Sequence, residues 1–182
     1  MLTVVVDSGP LITASKFETR GKLVVDHLLA GCCLVISPSV EEEVAILGAS
    51  YPDGVVVGER IAKGVIQVVP QVPRKWARHL ADYTLGEGEK NSIALCDHVK
   101  DAEALVTDDY LAFVVATRLG LKAWMLPDLV FELAERGSLT IDVAKDILDV
   151  IRHRYRMGVI EHSLECLKEV RKNAQSGDSS QG

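Results

Sequence analysis

The 182-residue chain has no apolar run approaching the roughly 18–20 residues of a membrane-spanning helix, so no span is expected. Its opening, Met1-Leu2-Thr3-Val4-Val5-Val6-Asp7, lacks a basic leader and puts an acid where a signal peptide would stay apolar. It does not read as a signal peptide. The four cysteines (Cys32, Cys33, Cys96 and Cys166) include no C-x-x-C pair and no histidine at finger spacing. That argues against a zinc module and suits free thiols used as small packing residues in a reducing, cytoplasmic setting. Positive charge is not in excess: 20 Lys and Arg face 26 Asp and Glu, a formal net charge of −6. A broadly basic protein that coats nucleic acid is therefore not expected, although a local basic groove is compatible with the sum. A phosphate-binding G-x-x-x-x-G-K-[ST] loop is absent. Gly86-Glu87-Gly88-Glu89-Lys90-Asn91 lacks the last glycine of a dinucleotide loop, and its two acids would repel a pyrophosphate.

What is present is ordinary globular composition, 48% hydrophobic and 25% charged, at a length suited to one domain with a genuine core. Short β-rich runs at Val4–Val6, Cys33–Ile36, Val65–Val69, Ala104–Thr107 and Ala123–Leu126 alternate with helical stretches. Those stretches are Leu23–Ala30, Pro38–Leu47, Glu87–Val99, Tyr110–Leu119 and Pro127–Arg136. Strands that are apolar throughout, alternating with helices, predict an α/β fold: a parallel sheet covered on both faces, with ligands gathering at the strands' carboxyl ends. Ser37 before Pro38 reads as a helix cap, and Gly120 and Gly137 read as helix stops. Gly48–Gly54 is turn-rich and is expected to be a surface loop. The expected organisation is a domain over 1–137, a helical extension over 138–172 packed on or near it, and a disordered tail over 173–182.

The acids carry the functional information. Asp7 follows the first strand and Asp108 and Asp109 follow the fourth, so a parallel sheet would send all three into one crevice. Glu43 lies in the helix after the second strand, and Glu89 lies in the first turns of the helix beginning near Gly88. Singly, each has an ordinary explanation as a cap, a solvated charge or a favourable partner of a helix dipole. Jointly they put five carboxylates from four distant segments in reach of one another. Two carboxylates about 4 Å apart repel by about 4 kcal/mol at an effective dielectric of about 20, so such a cluster must protonate in part or bind cations. Oxygen donors without His or Cys favour Mg²⁺ or Mn²⁺, which makes metal-assisted phosphodiester hydrolysis the natural chemistry.

In this light the sequence resembles the PIN-domain ribonucleases, metal-dependent enzymes found in many prokaryotic toxins. Val5-Val6-Asp7-Ser8-Gly9-Pro10-Leu11-Ile12 is similar to the first motif of that family. Pro38-Ser39-Val40-Glu41-Glu42-Glu43-Val44 resembles the second, in a register that selects Glu43. Leu85–Glu89 followed by Ser92-Ile93-Ala94-Leu95 resembles the Gly-Glu helix of one branch, and Leu105-Val106-Thr107-Asp108-Asp109 resembles its Asp-Asp motif. The resemblance covers roughly Leu2 to Gly137. It implies a three-layer α/β/α fold with a five-stranded parallel sheet, Mg²⁺ or Mn²⁺ held by Asp7, Glu43, Glu89, Asp108 and Asp109, RNA as substrate, a homodimer, and an antitoxin partner. Two positions depart from the branch: Asn91 stands where a second Glu is usual, and Phe113 stands where Arg often follows Ala112. They support an alternative, a catalytically silent PIN-like module that binds RNA or protein. Thr107-Asp108-Asp109-Tyr110 also resembles ribosomal RNA maturation nucleases, whose usual zinc ribbon is missing here.

Basic residues for an RNA partner are sparse but clumped, at Arg152-His153-Arg154-Tyr155-Arg156 and at Arg74-Lys75-Trp76-Ala77-Arg78. The first packs arginines around an aromatic, a combination suited to phosphate contact and base stacking; solvated helix faces are the plainer reading of both. Lys16, Arg20 and Lys22 are candidates to flank the crevice, while Trp124 and Met125 read as core or interface. Setting the five crevice acids aside leaves 21 acids against 20 bases, so the acidic excess itself marks the expected metal site.

Overall fold

The computed structural model describes residues 1–70 and 76–178, with side chains as far as Lys172. In chain order the strands are β1 (Leu2–Val6), the hairpin pair β2 (Glu18–Thr19) and β3 (Lys22–Leu23), β4 (Cys32–Ile36), β5 (Ile66–Val68), β6 (Ala102–Val106) and β7 (Ala123–Trp124). The helices are α1 (Ser8–Lys16), α2 (Val24–Leu29), α3 (Pro38–Glu41), α4 (Pro52–Ala62), α5 (Ala77–Ala81), α6 (Glu87–His98), α7 (Tyr110–Arg118), α8 (Leu126–Glu135), α9 (Ile141–Ile151) and α10 (Met157–Asp178). Five strands form one parallel sheet in the order β5-β4-β1-β6-β7. The chain therefore builds outward from β1 to β5, then crosses back to lay β6 on the other side of β1. That reversal opens a crevice at the carboxyl ends of β1 and β6, where ligands of such sheets collect.

Both sheet faces are buried, which is why the strands read as continuous apolar runs. Val4, Val6, Leu34, Ile36, Ala104 and Val106 face one core, shared with α1, α2, α8, α9 and α10. Val5, Val35 and Leu105 face the other, against Leu80 of α5, Ile93 and Leu95 of α6 and Val115 of α7. The result is a three-layer α/β/α sandwich. Ile147, Leu148, Ile151, Ile160 and Leu167 lie in the same core as β1, so α9 and α10 are part of that packing. The helix α10 runs on to Asp178, and 179–182 lie outside the described residues.

Each expected strand forms, with ends moved by a residue or two. Ala123–Leu126 is shorter than expected because Leu126 already opens α8, with Pro127 in its first turn. Ser37 caps α3 as its hydroxyl accepts the Val40 amide at 3.3 Å, and Gly120 and Gly137 adopt left-handed φ of 81° and 73°. Four features differ from the sequence pattern. The segment Asp7–Pro10 is rich in turn formers, yet it starts α1, because Pro10 stands where no helical amide partner is needed. The expected loop over Gly48–Gly54 shrinks to a turn, since Pro52 opens α4. The expected helix Pro38–Leu47 becomes α3 followed by a wider π-helical stretch, Glu42–Leu47. A Cβ on Gly54 would collide with the carbonyl oxygens of Gly48 and Val44, so the backbone of α4 closes directly onto the end of that stretch. Finally, the helical extension expected over 138–172 is interrupted after Ile151, where a 3₁₀ turn at Arg152–Arg154 leads to an extended Tyr155.

Candidate active site

The register of the sheet creates the centre of the site. Val6 pairs with Val106, so the next residues, Asp7 and Thr107, leave the sheet side by side. The Asp7 amide still donates to the Val106 carbonyl at 2.9 Å, and the Thr107 hydroxyl donates to Asp7 Oδ2 at 3.0 Å. From α6, the buried Ser92 hydroxyl donates to Asp7 Oδ1 at 3.2 Å. Asp7 stands at the N-cap of α1, yet its carboxylate makes no capping bond. The common structural use of an acid in this position is therefore not the one found. Burial pushes its carboxyl above the usual range, and the charge of Glu43 adds to that; the Ser8 amide and the Thr107 and Ser92 hydroxyls oppose it.

Asp108 is the second inward acid. It packs over Gly9, whose missing Cβ would lie 3.6 Å from Asp108 Cβ, and its Oδ2 accepts the Tyr155 hydroxyl at 2.7 Å. Its Oδ1 is buried without a hydrogen-bond partner. Burial raises its carboxyl, and the charge of Asp7 works in the same direction. The Tyr155 hydroxyl, the Leu126 amide and the charge of Arg154 hold it down. Burial and the Asp108 charge push the Tyr155 phenol far up, so it stays protonated and donating.

The other three acids lie at helix starts. Glu89 Oε2 accepts the Gly86 amide at 2.5 Å, the reciprocal arm of a capping arrangement. Burial raises its carboxyl, with the charges of Asp109 and Asp7 adding to the effect. Asp109 caps α7 by accepting the Ala112 amide at 2.7 Å, and its own amide donates to Thr107 Oγ1 at 3.2 Å. Glu43 is exposed on the π-helical stretch and reaches α6: a Cβ on Gly88 would lie 3.4 Å from its Oε2. The five acids thus form one electrostatically linked set around Asp7.

The donors fit a hard divalent cation. They are oxygen only, mutually repelling, and include a buried Asp108 oxygen with no partner. As placed, no three Asp, Glu, His or Cys side chains among the described residues are grouped to hold an ion.

Asn91, which replaces an acid of the resembled pattern, donates to Ser39 Oγ at 2.8 Å and fastens α6 to α3, the two helices beside Glu89 and Glu43. Of the bases expected near the crevice, Arg20 turns instead to α9 and pairs with Asp146. In the clump Arg152–Arg156, the Tyr155 hydroxyl is tied to Asp108, which fixes the ring beside the acids. Residues Arg74 and Lys75 of the second clump lie outside the described residues, while Trp76 meets His79 edge-on at 5.4 Å. The four cysteines are free thiols. Sequence reasoning missed two groups, Ser92 and Thr107, which lie within quoted motifs as hydroxyls beside acids, and it read Tyr155 as a stacking aromatic without its bond to Asp108. No spacing signal links Tyr155 to Asp108, 47 residues earlier.

Among the described residues, no helix is long and apolar enough to cross a membrane. None of the curated proteins matches the chain. A domain of a functionally unknown protein from Methanocaldococcus jannaschii DSM 2661 is similar in structure, with a TM-score of 0.44 and 18% identity over 69% of this chain and 91% of that one. The family model for DUF3368, described as a PIN domain, matches residues 3–171, including α9 and most of α10. A match over nearly the whole chain carries the assignment, and the protein belongs to the PIN-domain family, whose fold is of nuclease type.

Proposed function

We propose that the protein is a divalent-metal-dependent endoribonuclease that hydrolyses RNA phosphodiester bonds, with Asp7, Glu43, Glu89, Asp108 and Asp109 as its acidic set. The observation that carries this reading is Asp7: buried, at a helix start it does not cap, and surrounded by other acids. Holding an ionised carboxylate there is unfavourable without a cation, so the arrangement serves binding better than stability. Asp7, Glu43, Glu89 and Asp109 would hold Mg²⁺ or Mn²⁺ directly or through water, with Asp108 beside them. Such an ion supplies Lewis acidity and eases ionisation of water near neutral pH. The chain's own groups orient the donors. Ser92 and Thr107 fix the two oxygens of Asp7, Tyr155 fixes Asp108, and Asn91 holds α6 against α3.

The finer reading places the protein with the Asp-Asp, toxin-type branch, acting in the cytoplasm as a homodimer restrained by an antitoxin. The support is the run of acids in Asp-Asp order, together with apolar side chains exposed beside Glu43: Ile46, Leu47, Tyr51 and Val55. A partner surface is the ordinary use of such a patch. The test of the nuclease reading is cleavage of a mixed RNA by wild type and Asp7→Asn in Mn²⁺ or Mg²⁺. Cleavage by wild type alone is expected, and equal activity in the two proteins refutes it.

A second reading, a silent module that binds RNA or protein, draws on Glu89 and Asp109, each already committed to a backbone amide. Calorimetric titration with Mn²⁺ separates the two. Binding lost in Glu43→Gln belongs to the enzyme, and its absence from wild type belongs to the module.

A further inference from the structure

A cleft of about 400 Å³ opens beside the acidic set, lined by Asp108, Tyr110, Met125, Arg154, Tyr155, Arg156 and Val159. Its walls come from three places: the start of α7 after β6, the junction of β7 with α8, and the turn entering α10. Asp108 belongs both to this cleft and to the acidic set around Asp7, so the two adjoin at that residue. The chemistry of the walls changes with depth. The inner side holds the Asp108–Tyr155 hydrogen bond, which fixes the Tyr155 ring. The apolar surface comes from Met125 and Val159. At the mouth, Tyr110 is 75% exposed, and Arg154 and Arg156 are exposed and form no ion pair among the described residues.

These features suit one kind of ligand. A large ring left in water beside unpaired guanidinium groups is a stacking platform with cations to hold a backbone phosphate. The acid at the inner end repels phosphate, so the phosphate belongs at the arginine mouth and the flat base belongs over Tyr110 and Met125. Stacking on an exposed ring needs a base already out of its duplex, which selects single strands. We propose that this cleft binds one unpaired nucleotide of an RNA strand next to the phosphate presented to the acidic set. The C-terminal turn Arg152–Arg156 thereby supplies substrate contacts to a site otherwise built from the sheet. This subsite rests on the nuclease reading for its substrate, and its binding is measurable without catalysis.

The experiment is fluorescence anisotropy of a labelled single-stranded oligouridylate with the full chain in EDTA, where no metal-dependent cleavage interferes. Wild type is compared with Tyr110→Ala, with Arg154→Ala/Arg156→Ala, and with Lys168→Ala, on the far part of α10, as a control. Tyr110→Ala is expected to weaken binding about tenfold, within the range found for single base–aromatic stacks. The double arginine variant is expected to lose about threefold less affinity per missing phosphate contact between 50 and 200 mM salt. Lys168→Ala should bind like wild type, and an RNA duplex should compete poorly. Wild-type affinity in both cleft variants, no binding by wild type, or equal competition by duplex overturns the proposal. Binding through the cleft without cleavage in Mn²⁺ refutes the nuclease reading and leaves the subsite standing. Cleavage by cleft variants that also bind normally does the reverse.

Discussion

The hydroxyl of Tyr155 should matter in proportion to the charge on Asp108. Tyr155→Phe keeps the ring and removes only the donor that lies 2.7 Å from Asp108 Oδ2. The other oxygen of Asp108 is already buried without a partner, so the variant carboxylate loses its one side-chain hydrogen bond. A hydrogen bond to a charged group contributes about 1.5–3 kcal/mol, against about 0.5–1.5 kcal/mol for a neutral pair. Because Tyr155 is only partly buried, the lower half of each range applies. The sign with pH follows from the direction of the shift. Burial holds the folded Asp108 carboxyl above its ordinary value, and the Tyr155 hydroxyl opposes that by favouring the ionised form. Stability tied to the protonated acid is fully present below the ordinary carboxyl range and is lost as pH rises through the raised folded value. Without the hydroxyl the folded value climbs further, so the variant loses more stability at pH 8 than at pH 4. Urea denaturation at the two pH values reads this directly. At pH 8 the expected loss of about 1.5–2 kcal/mol corresponds to roughly 3–8 °C in Tm for a chain of this size. A loss that is the same at both pH values, or below about 0.5 kcal/mol at pH 8, refutes the claim that the phenol acts through the charge of Asp108.

Asp7→Asn should raise the metal-free stability at pH 7.5, since it removes a buried ionised acid whose folded value is raised. The gain should fade as pH drops through the raised folded value and be gone below the ordinary carboxyl range, and added Mn²⁺ should raise the Tm of wild type alone; a less stable variant at pH 7.5 contradicts the burial argument. Ser37→Ala removes the cap of α3 and should cost about 1 kcal/mol in denaturant titration, with no change expected in the pH dependence. Deleting 138–182 removes Ile147, Leu148, Ile151, Ile160 and Leu167 from the core shared with β1. At about 1.5–3 kcal/mol for each buried side chain, the loss is comparable with the whole stability of a typical domain, so the fragment should show no cooperative melt by circular dichroism.

The alternation of apolar runs with helical stretches was sufficient to read a parallel sheet covered on both sides, because a doubly buried strand has no polar face to alternate with. The sites of Asp7, Asp108 and Asp109 were legible for the same reason: an acid directly after such a strand has left the core and entered the crevice. Local chemistry also announced the Ser37 cap and the left-handed glycines at 120 and 137. It failed where neighbours in space override it. Gly54 lets α4 close against the π-helical stretch under Glu43, whereas Pro10 and Pro52, which look like turn residues, sit in first helical turns for the local reason that no amide partner is needed there.

What the sequence determined alone was the order of elements, the two-sided core and the supply of acids. Only the tertiary structure decided what each acid does. Asp109 and Glu89 satisfy backbone amides, while Asp7, in a capping position, receives hydroxyls from α6 and from the end of β6 instead. Only the tertiary structure, too, brought Tyr155 onto Asp108, because a hydrogen bond between residues 47 positions apart depends on how α8, α9 and α10 pack. Periodicity records which side of an element is buried. It carries no record of which distant side chain will be waiting there.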